Sequence, residues 1–368
     1  MAQALYRKYR PRKLDELLGQ ETSITILKNA AKSGRLGQAY LFYGPRGTGK
    51  TTTARLVAKL LNCEKRATDP AFAKLGEPCN ECRSCREIDT QNSFDVIEID
   101  AASNRGIDEI RNLKESIKTA PAAAPHKVYI IDEAHMLTGA AFNALLKTLE
   151  EPPRHAVIIL ATTEYEKLPP TIVSRVQRFA FKRLSKTVIM EKLTAIAREE
   201  KINIDGAALE LIAAAAEGSF RDAESLLDQI SSLTAHIDLE AAARATGRTG
   251  FAKVHALASL IIKKDLRNAA AEVAALHDEG YNLVQFTKDL IHYLRKVLSL
   301  NVNPDSASIF EKELTKDELA RAEALAASAD VKLLVSFLRA LIRAYAEMRY
   351  SPFAVVPLEI VLAEYLAA

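Results

Sequence analysis

The octapeptide GPRGTGKT, residues 44–51, constrains this chain more than any other stretch. It follows a short apolar run, AYLFY (39–43), and opens a stretch of helical pattern, 50–62. The spacing G-x-x-x-x-G-K-[ST] between a strand and a helix reads as a phosphate cradle, and each residue type has a physical reason. Gly44, Gly47 and Gly49 let the backbone curl so that its N–H groups face phosphate oxygens. The helix that begins at Lys50 adds its positive end to the same place. Lys50 is expected to neutralise the β and γ phosphates, and the Thr51 hydroxyl to complete a magnesium shell. A glycine turn before an ordinary helix is the plainer alternative. Strand, loop and helix in that order argue against it.

The same alternation continues downstream. DVIEI (95–99), KVYIID (127–132) and AVIILA (156–161) are short runs rich in Val, Ile, Tyr and Leu, separated by helical stretches near 106–118 and 138–150. Continuous apolar runs suit strands buried on both faces, and β–α alternation implies a parallel sheet covered by helices. The first 180 or so residues therefore read as a doubly wound α/β domain. Asp132 emerges at the carboxyl end of its strand, where open α/β sheets bind ligands, and is expected to hold the magnesium through water. Glu133 follows and is placed to orient or deprotonate an attacking water. His135 is expected to be a local hydrogen-bonding residue rather than a metal ligand.

After residue 182 strand signals vanish and alanine and leucine dominate. Leu334, Phe337, Leu338, Leu341, Ile342 and Tyr345 recur at helical spacing as one broad stripe, suited either to an internal core or to assembly. The expected division is 1–182 for the α/β domain, 183–243 for a small helical domain, and 244–368 for a helical bundle. A length of 368 residues agrees with two or three domains. Hydrophobic residues at 48% and charged residues at 26% allow a sizeable core, while 14 Gly and 13 Pro are too few for long flexible linkers. No apolar run approaches the ~18 residues a membrane span needs. The basic start MAQALYRKYRPRK is followed by no apolar stretch, so no secretory signal is expected and the cytoplasm is the expected compartment. A net charge of +3 neither demands nor excludes nucleic acid; Arg7, Lys8, Arg10, Arg12 and Lys13 form either a phosphate-binding patch or a solvated arm.

Several segments point to one family. KYRPRKLDELLGQ (8–20), AYLFYGPRGTGKTTTARLVAKLLNC (39–63), EIDAASNRGIDEIR (98–111), IIDEAHMLTGAAFNALLKTLEEPP (130–153), ATTEYEKLPPTIVSRV (161–176) and GSFRDAESLLDQ (218–229) stand in order. They resemble, in the same order, the clamp-loader branch of the AAA+ ATPases, in particular the γ/τ-subunit family of bacterial DNA polymerase III. The resemblance implies a AAA+ nucleotide-binding domain, a helical lid and a C-terminal collar. It assigns the loop Gly44, Pro45, Arg46, Gly47, Thr48 and Gly49, with Lys50, Thr51 and Thr52, to ATP and Mg2+, and Tyr9, Arg10 and Pro11 to the adenine surroundings. Thr163 resembles sensor 1, Arg175 the arginine finger offered to a neighbouring subunit, and Arg221 sensor 2. Val176 stands where the family often has cysteine, and EYEKLP replaces a more usual Asp-Pro after the two threonines. Neither departure touches a charge the site needs. Arg221 has independent support. Phe220, Ala223, Leu226, Leu227, Ile230 and Leu233 trace one helical face capped by Ser219, and Arg221 lies off that face near the positive helix start, a poor place for a cation without an anion.

All four cysteines lie between Cys63 and Cys85, spaced C-x15-C-x2-C-x2-C with Cys79 and Cys82. Such clustering does not resemble a secreted disulfide framework. Four thiolates at this spacing suit tetrahedral zinc, and C-x2-C-x2-C also suits an iron–sulfur cluster. The ferredoxin continuation C-x3-C-P is missing, which favours Zn2+ over iron, with redox thiols as the remaining alternative. The family carries a zinc module at this place, which supports a structural metal site over 63–85.

The expected function is an ATP-driven motor subunit within the DNA polymerase III holoenzyme. ATP binding would order a hetero-oligomeric, pentameric ring that opens a sliding clamp and grips primer–template DNA, mainly by its backbone phosphates. Hydrolysis would release the closed clamp. Expected partners are the other clamp-loader subunits, the clamp, primed DNA and, as a further candidate, single-strand-binding protein. Two rivals are a non-hydrolysing scaffold subunit and a AAA+ DNA helicase or branch-migration motor.

Overall fold

The computed structural model describes residues 3–103, 107–246, 250–311 and 313–366. Positions 104–106 of the segment EIDAASNRGIDEIR, and the side chains of 107–112, lie outside the described residues. The chain forms two compact units, one of residues 1–184 with 218–222 and the other of 185–217 with 223–368.

The first unit is built on five strands: β1 (Ala39–Tyr43), β2 (Val96–Asp100), β3 (Lys127–Asp132), β4 (Ala156–Thr162) and β5 (Gln177–Ala180). They pair in the order β2-β3-β4-β1-β5, every pair parallel. The pleat sends alternate side chains to opposite faces. Tyr40, Phe42, Val128, Ile130, Val157 and Ile159 face one core, shared with Leu27 and Ala31 of helix Glu21–Lys32 and Ala54 and Val57 of helix Lys50–Asn62. Leu41, Tyr129, Ile131, Ile158 and Leu160 face the other, packed on Leu113 and Ile117 of helix Ile107–Lys118 and on Phe142 and Leu145 of helix Gly139–Glu150. Both faces are thus covered, which is why these strands read as unbroken apolar runs.

The sequence pattern locates β1 to β4 and three of their helices to within a residue or two, and leaves β5 unmarked. Of β5 only Phe179 is buried, and an edge strand with polar residues on its open side carries no apolar run to detect. Before β2, Asp95 is buried and accepts N–H bonds from Ala122, Ala123 and Ala124 at 2.6, 2.8 and 2.8 Å. It thereby ties the loop ahead of β3 to the start of β2.

The second unit is helical. Helices Lys186–Glu199, Gly206–Ala215, Phe220–Ser231 (from residue 223 on) and Leu239–Thr246 come first, with a parallel pair of two-residue strands, Asn203–Ile204 and His236–Ile237. That pair corrects the expectation of no strands beyond residue 182; two residues are too short to leave a period. The helical face of Phe220–Ser231 buries Ala223, Leu227 and Ile230, but Leu233 falls after the helix and is exposed. Helices from Phe251–Ile262 to Val355–Leu366 enclose one further core. Leu334, Phe337, Leu338 and Leu341 point into it, so the stripe on Val331–Met348 is largely internal; Ile342 is exposed instead, and Ala344 and Met348 complete the buried face. Among the described residues no helix is long and apolar enough to cross a membrane.

Burial raises the Asp95 carboxyl, but the three amides, with Lys127 nearby, outweigh it and hold the group below its ordinary value. A depressed folded value stabilises the fold above the unfolded value, near pH 4, and the contribution is lost as pH falls through the folded one. Asp95→Ala is expected to cost ~1–3 kcal/mol at neutral pH. In Asp95→Asn, stability should fall less steeply below about pH 4 than in the native chain. Denaturant melts across pH check both.

Candidate nucleotide site and four-cysteine cluster

The phosphate loop leaves β1 and enters helix Lys50–Asn62, whose N-cap, Gly49, has φ 102°. Gly47 has φ 72°, and a Cβ there would overlap the Ser219 hydroxyl, so two independent constraints demand glycine. Phe220 N–H donates to the Gly47 carbonyl at 3.2 Å, joining the loop to the start of the helix that carries Arg221. Thr48 is buried and its hydroxyl donates to the Pro45 carbonyl at 2.9 Å. Lys50 is also buried, and its ammonium donates to the Gly44 and Pro45 carbonyls at 2.8 and 2.7 Å, inside the curl of the loop. Burial pushes this ammonium below its usual range, and the carboxylates of Glu133 and Asp132 pull it back. Arg46 is exposed and Thr52 half-buried on the first helical turn.

Parallel pairing aligns the carboxyl ends of the central strands. Tyr43 pairs with Thr162 and Ile131 with Leu160, so the loops after β1, β3 and β4 leave the same edge. There the Thr51 hydroxyl donates to Asp132 Oδ2 at 2.7 Å. A hydroxyl and a carboxylate meeting from two elements make a hard oxygen donor set, which fits magnesium. Glu133 has φ 47° and ψ 45°, left-handed backbone that is uncommon outside glycine. Its Oε2 accepts from Thr163 Oγ1 at 2.9 Å and from Thr163 N at 3.3 Å. Lys50, Thr51, Asp132, Glu133 and Thr163 are therefore brought to one edge.

Arg221 stands beside the phosphate loop, its Cβ 3.4 Å from where a Cβ on Gly47 would lie. Tyr9, Arg10 and Pro11 are half-buried in the turn between helix Leu5–Lys8 and the 3-10 turn Leu14–Glu16. The segment is anchored further on: Leu14 and Leu17 are in the core, and Gln20 exchanges two hydrogen bonds with the Lys182 backbone at 2.9 and 3.0 Å. Arg221 lies over the Tyr6 ring, 5.2 Å from its centroid. Tyr6 is a contact the sequence reading missed, since a tyrosine inside a basic arm gives no signal of its own. The hydrogen bonds of Arg175 go to Glu150 Oε1 at 2.6 Å, the Thr171 carbonyl at 2.7 Å and the Ser174 hydroxyl at 3.1 Å. None of them reaches Lys50, Asp132 or Glu133.

Cys63 follows the last residue of helix Lys50–Asn62, so about 20 Å of helix separates it from the phosphate loop. The sulfurs of Cys63, Cys79, Cys82 and Cys85 lie within 4.8 Å of one another, and Cys63 and Cys85 are buried. Cys79 Sγ accepts from Cys82 N at 3.2 Å and Glu81 N at 3.4 Å, Cys82 Sγ from Cys85 N at 3.4 Å, and Cys63 Sγ from Cys79 N at 3.4 Å. Amides aimed at sulfur are what thiolates require. The hydrogen bond from Cys85 draws Cys63 down to about 4, while Cys85, bonded to Cys63 and buried, is pushed up. Four thiolates cannot share this volume without a cation, and the donor set and spacing fit a tetrahedral metal ion.

The module is riveted to the α/β unit. Lys59, 1% exposed, pairs with Asp89 at 2.5 Å and Asn80 at 2.9 Å. Arg66 donates to the carbonyls of Leu60, Ala73 and Ala31 at 3.1, 3.1 and 2.9 Å. Glu77 accepts from the backbone of Leu14 at 2.7 Å and Asp15 at 3.2 Å, so the insert also holds the segment that follows Pro11. Spacing within the insert gave no hint of these rivets.

A parallel sheet with this loop and these acids at one edge defines a P-loop nucleotide-binding protein of the AAA+ class. Three family profiles match successive parts: "DNA polymerase III, delta subunit" over 19–185, "DNA polymerase III clamp loader subunit, ATPase lid domain" over 188–233, and "DNA polymerase III subunits gamma and tau domain III" over 237–367. The chain belongs to the γ/τ-subunit family of bacterial DNA polymerase III clamp loaders. It is 45% identical to DNA polymerase III subunit tau of Bacillus subtilis over 84% of this chain and 54% of the relative. It is 36% identical to subunit gamma/tau of Mycobacterium tuberculosis over 99% of this chain and 62% of the relative. With subunit tau of Escherichia coli it shares 40% identity over 87% of this chain and 49% of that one. The chain thus spans roughly half to three-fifths of the length of these relatives. Among solved structures, the Thermotoga maritima RuvB Holliday junction branch migration motor matches at 20% identity and a TM-score of 0.47, over 74% of this chain and 89% of that one.

Gly47→Ala sets a Cβ against Ser219 on left-handed backbone. It is expected to lower stability by ~1–3 kcal/mol and to weaken nucleotide binding at least tenfold. Thermal melts and titration with a fluorescent ATP analogue check this.

Proposed function

We propose that this chain is the cytoplasmic, ATP-hydrolysing motor subunit of a sliding-clamp loader. The observation that carries the reading is the Thr51–Asp132 contact at 2.7 Å, set at the same strand edge as Lys50 and Glu133. The triphosphate lies along Gly44 to Thr52, with loop amides and the Lys50 ammonium on its oxygens. Thr51 and Asp132 hold the magnesium ion, which neutralises phosphate charge. Glu133 accepts a proton from the attacking water, the oxygen bonds to the γ-phosphorus, and ADP leaves. Thr163, bonded to Glu133, reports the γ-phosphate to the base. Arg221, next to the phosphate loop, adds positive charge in cis, and Tyr9, Arg10 and Pro11 border the adenine.

Arg175 serves the site of a neighbouring subunit. Its engagement with Glu150, away from Lys50 and Asp132, supports a role outside its own chain. Residues 1–182 then form the nucleotide domain, 183–243 the lid, and 244–368 a collar for a pentameric hetero-oligomer. The ring's partners are the other loader subunits, the clamp and primer–template DNA, with single-strand-binding protein as a further contact. DNA is held by backbone phosphates rather than read by base. Cys63, Cys79, Cys82 and Cys85 would hold a zinc ion, which would serve a structural role by tying the insert together.

ATP turnover measured with and without clamp, companion subunits and primed DNA tests the motor reading. Turnover should rise on addition of all three, and equal rates in every mixture would count against a loader. Glu133→Gln should retain nucleotide but lose about 10²–10⁴-fold in hydrolysis. Arg175→Ala should lose about 10³-fold, and only in the assembled ring. Elemental analysis should find about one zinc per chain, lost in Cys79→Ser/Cys82→Ser; iron in its place would overturn the zinc assignment.

A further inference from the structure

His135 is not used by the chemistry above, yet its surroundings are unusual. It sits in the 3-10 turn Ala134–Met136, directly after the two acids, with a side chain only 7% exposed. Its Nδ1 lies 2.9 Å from Thr162 Oγ1 and 3.4 Å from Glu133 Oε2, and its Nε2 lies 3.1 Å from Glu164 Oε1. Thr162 is fully buried, and its hydroxyl oxygen accepts the Glu164 N–H at 3.1 Å. Glu164 in turn pairs with Lys167 at 2.7 Å. The ring is therefore pinned on both nitrogens, each facing a carboxylate.

The Glu133 carboxylate is approached from one side only. Thr163 Oγ1 and Thr163 N donate to Oε2, His135 Nδ1 stands 3.4 Å from the same oxygen while hydrogen-bonded to Thr162, and among the described residues Oε1 receives no hydrogen bond. A carboxylate gripped by one oxygen presents the other in a fixed direction. Glu133 also stands on left-handed backbone, so its side chain leaves the strand at an angle that only its surroundings hold. We propose that His135 is a positioning residue for Glu133: braced by Thr162 and Glu164, the imidazole and Thr163 hold Oε2 and so orient Oε1 as the proton acceptor for the attacking water. The proposal rests on Glu133 being the base. His135 touches neither nucleotide nor water and acts through Glu133 alone.

Two features make the brace specific to histidine. The turn from Glu133 to Met136 is closed by Met136 N–H donating to the Glu133 carbonyl at 2.8 Å, so His135 reaches back beside its own neighbour's side chain. Only a side chain with polar atoms at two depths spans Thr162 and Glu164 together. Asparagine can supply the inner atom near Thr162 and Glu133; glutamine can supply the outer one near Glu164.

The test compares the full chain with His135→Ala, His135→Asn, His135→Gln and Glu133→Gln, in single-turnover hydrolysis of magnesium ATP and titration with a fluorescent ATP analogue. His135→Ala should slow hydrolysis about tenfold or more, as loss of an oriented base requires, with nucleotide affinity within about twofold of native. His135→Asn should recover more rate than His135→Gln at matched thermal stability. A native rate in His135→Ala beside an inactive Glu133→Gln would overturn the proposal and leave the ATPase reading standing. So would rate, affinity and melting temperature falling together in all three histidine variants with asparagine no better than glutamine, which is the mark of packing alone. A native rate in Glu133→Gln removes the base, and this inference with it.

Discussion

The candidate nucleotide site depends on parallel strand pairing that sets the carboxyl ends of β1, β3 and β4 side by side. Strands in parallel point their loops the same way, so groups from residues about 50, 130 and 160 meet without any loop having to double back. Lys50 enters from the loop after β1, Asp132 and Glu133 from the end of β3, and Thr163 from the end of β4. Burial of both sheet faces fixes the register, because a slip by one residue would exchange the side chains that pack in the two different cores. The precision of the Thr51–Asp132 and Thr163–Glu133 contacts is thus inherited from the packing of Tyr40, Phe42, Ile130 and Ile159.

The four-cysteine insert belongs to the same mechanical frame. A segment of short helices between Cys63 and Asp89 has little apolar surface with which to fold alone. Polar side chains compensate. Lys59, almost wholly buried in a helix that otherwise faces the core, spends its charge on Asp89 and Asn80. Glu77 runs the other way, from the insert to the amides of Leu14 and Asp15. Leu17 lies 3.4 Å from where a Cβ on Gly49 would be, so the insert, the N-terminal segment and the phosphate loop form one connected stack.

Strained backbone and buried charge meet at the candidate nucleotide site, although left-handed non-glycine backbone also occurs at Asn80, Gln91, Lys201, Glu217 and Lys264. Glu133 adopts left-handed backbone, Lys50 is buried with a depressed ammonium, and Gly47 has no room for a Cβ. The Glu133 backbone is locally unfavourable by about 1–3 kcal/mol and persists because the strands around it are overdetermined. By contrast the helices from Phe251–Ile262 to Val355–Leu366 show ordinary internal packing, with ring contacts such as Phe251 against Tyr293 filling the core.

Local pattern alone determined the phosphate loop, the buried central strands, the acids that end β3 and the spacing of the four cysteines. These are short-range signals: a turn that needs glycine, a strand buried on both sides, thiols two residues apart. Tertiary structure alone decided the rest. β5 is an edge strand whose only buried side chain is Phe179, and Leu233 and Ile342 matched a helical period yet face outward, because a period says that a face exists and not which neighbours cover it. The contacts of Glu77 with Leu14, of Arg221 with Tyr6, and of His135 with Glu133, Thr162 and Glu164 fall in the same class. Most of these partners are tens of residues apart or more, and His135 and Glu133, though neighbours in the chain, meet only because β4 carries Thr162 and Thr163 alongside them. Hydrogen bonding is directional over about 3 Å, and no linear code records which atoms the folded chain will bring that close.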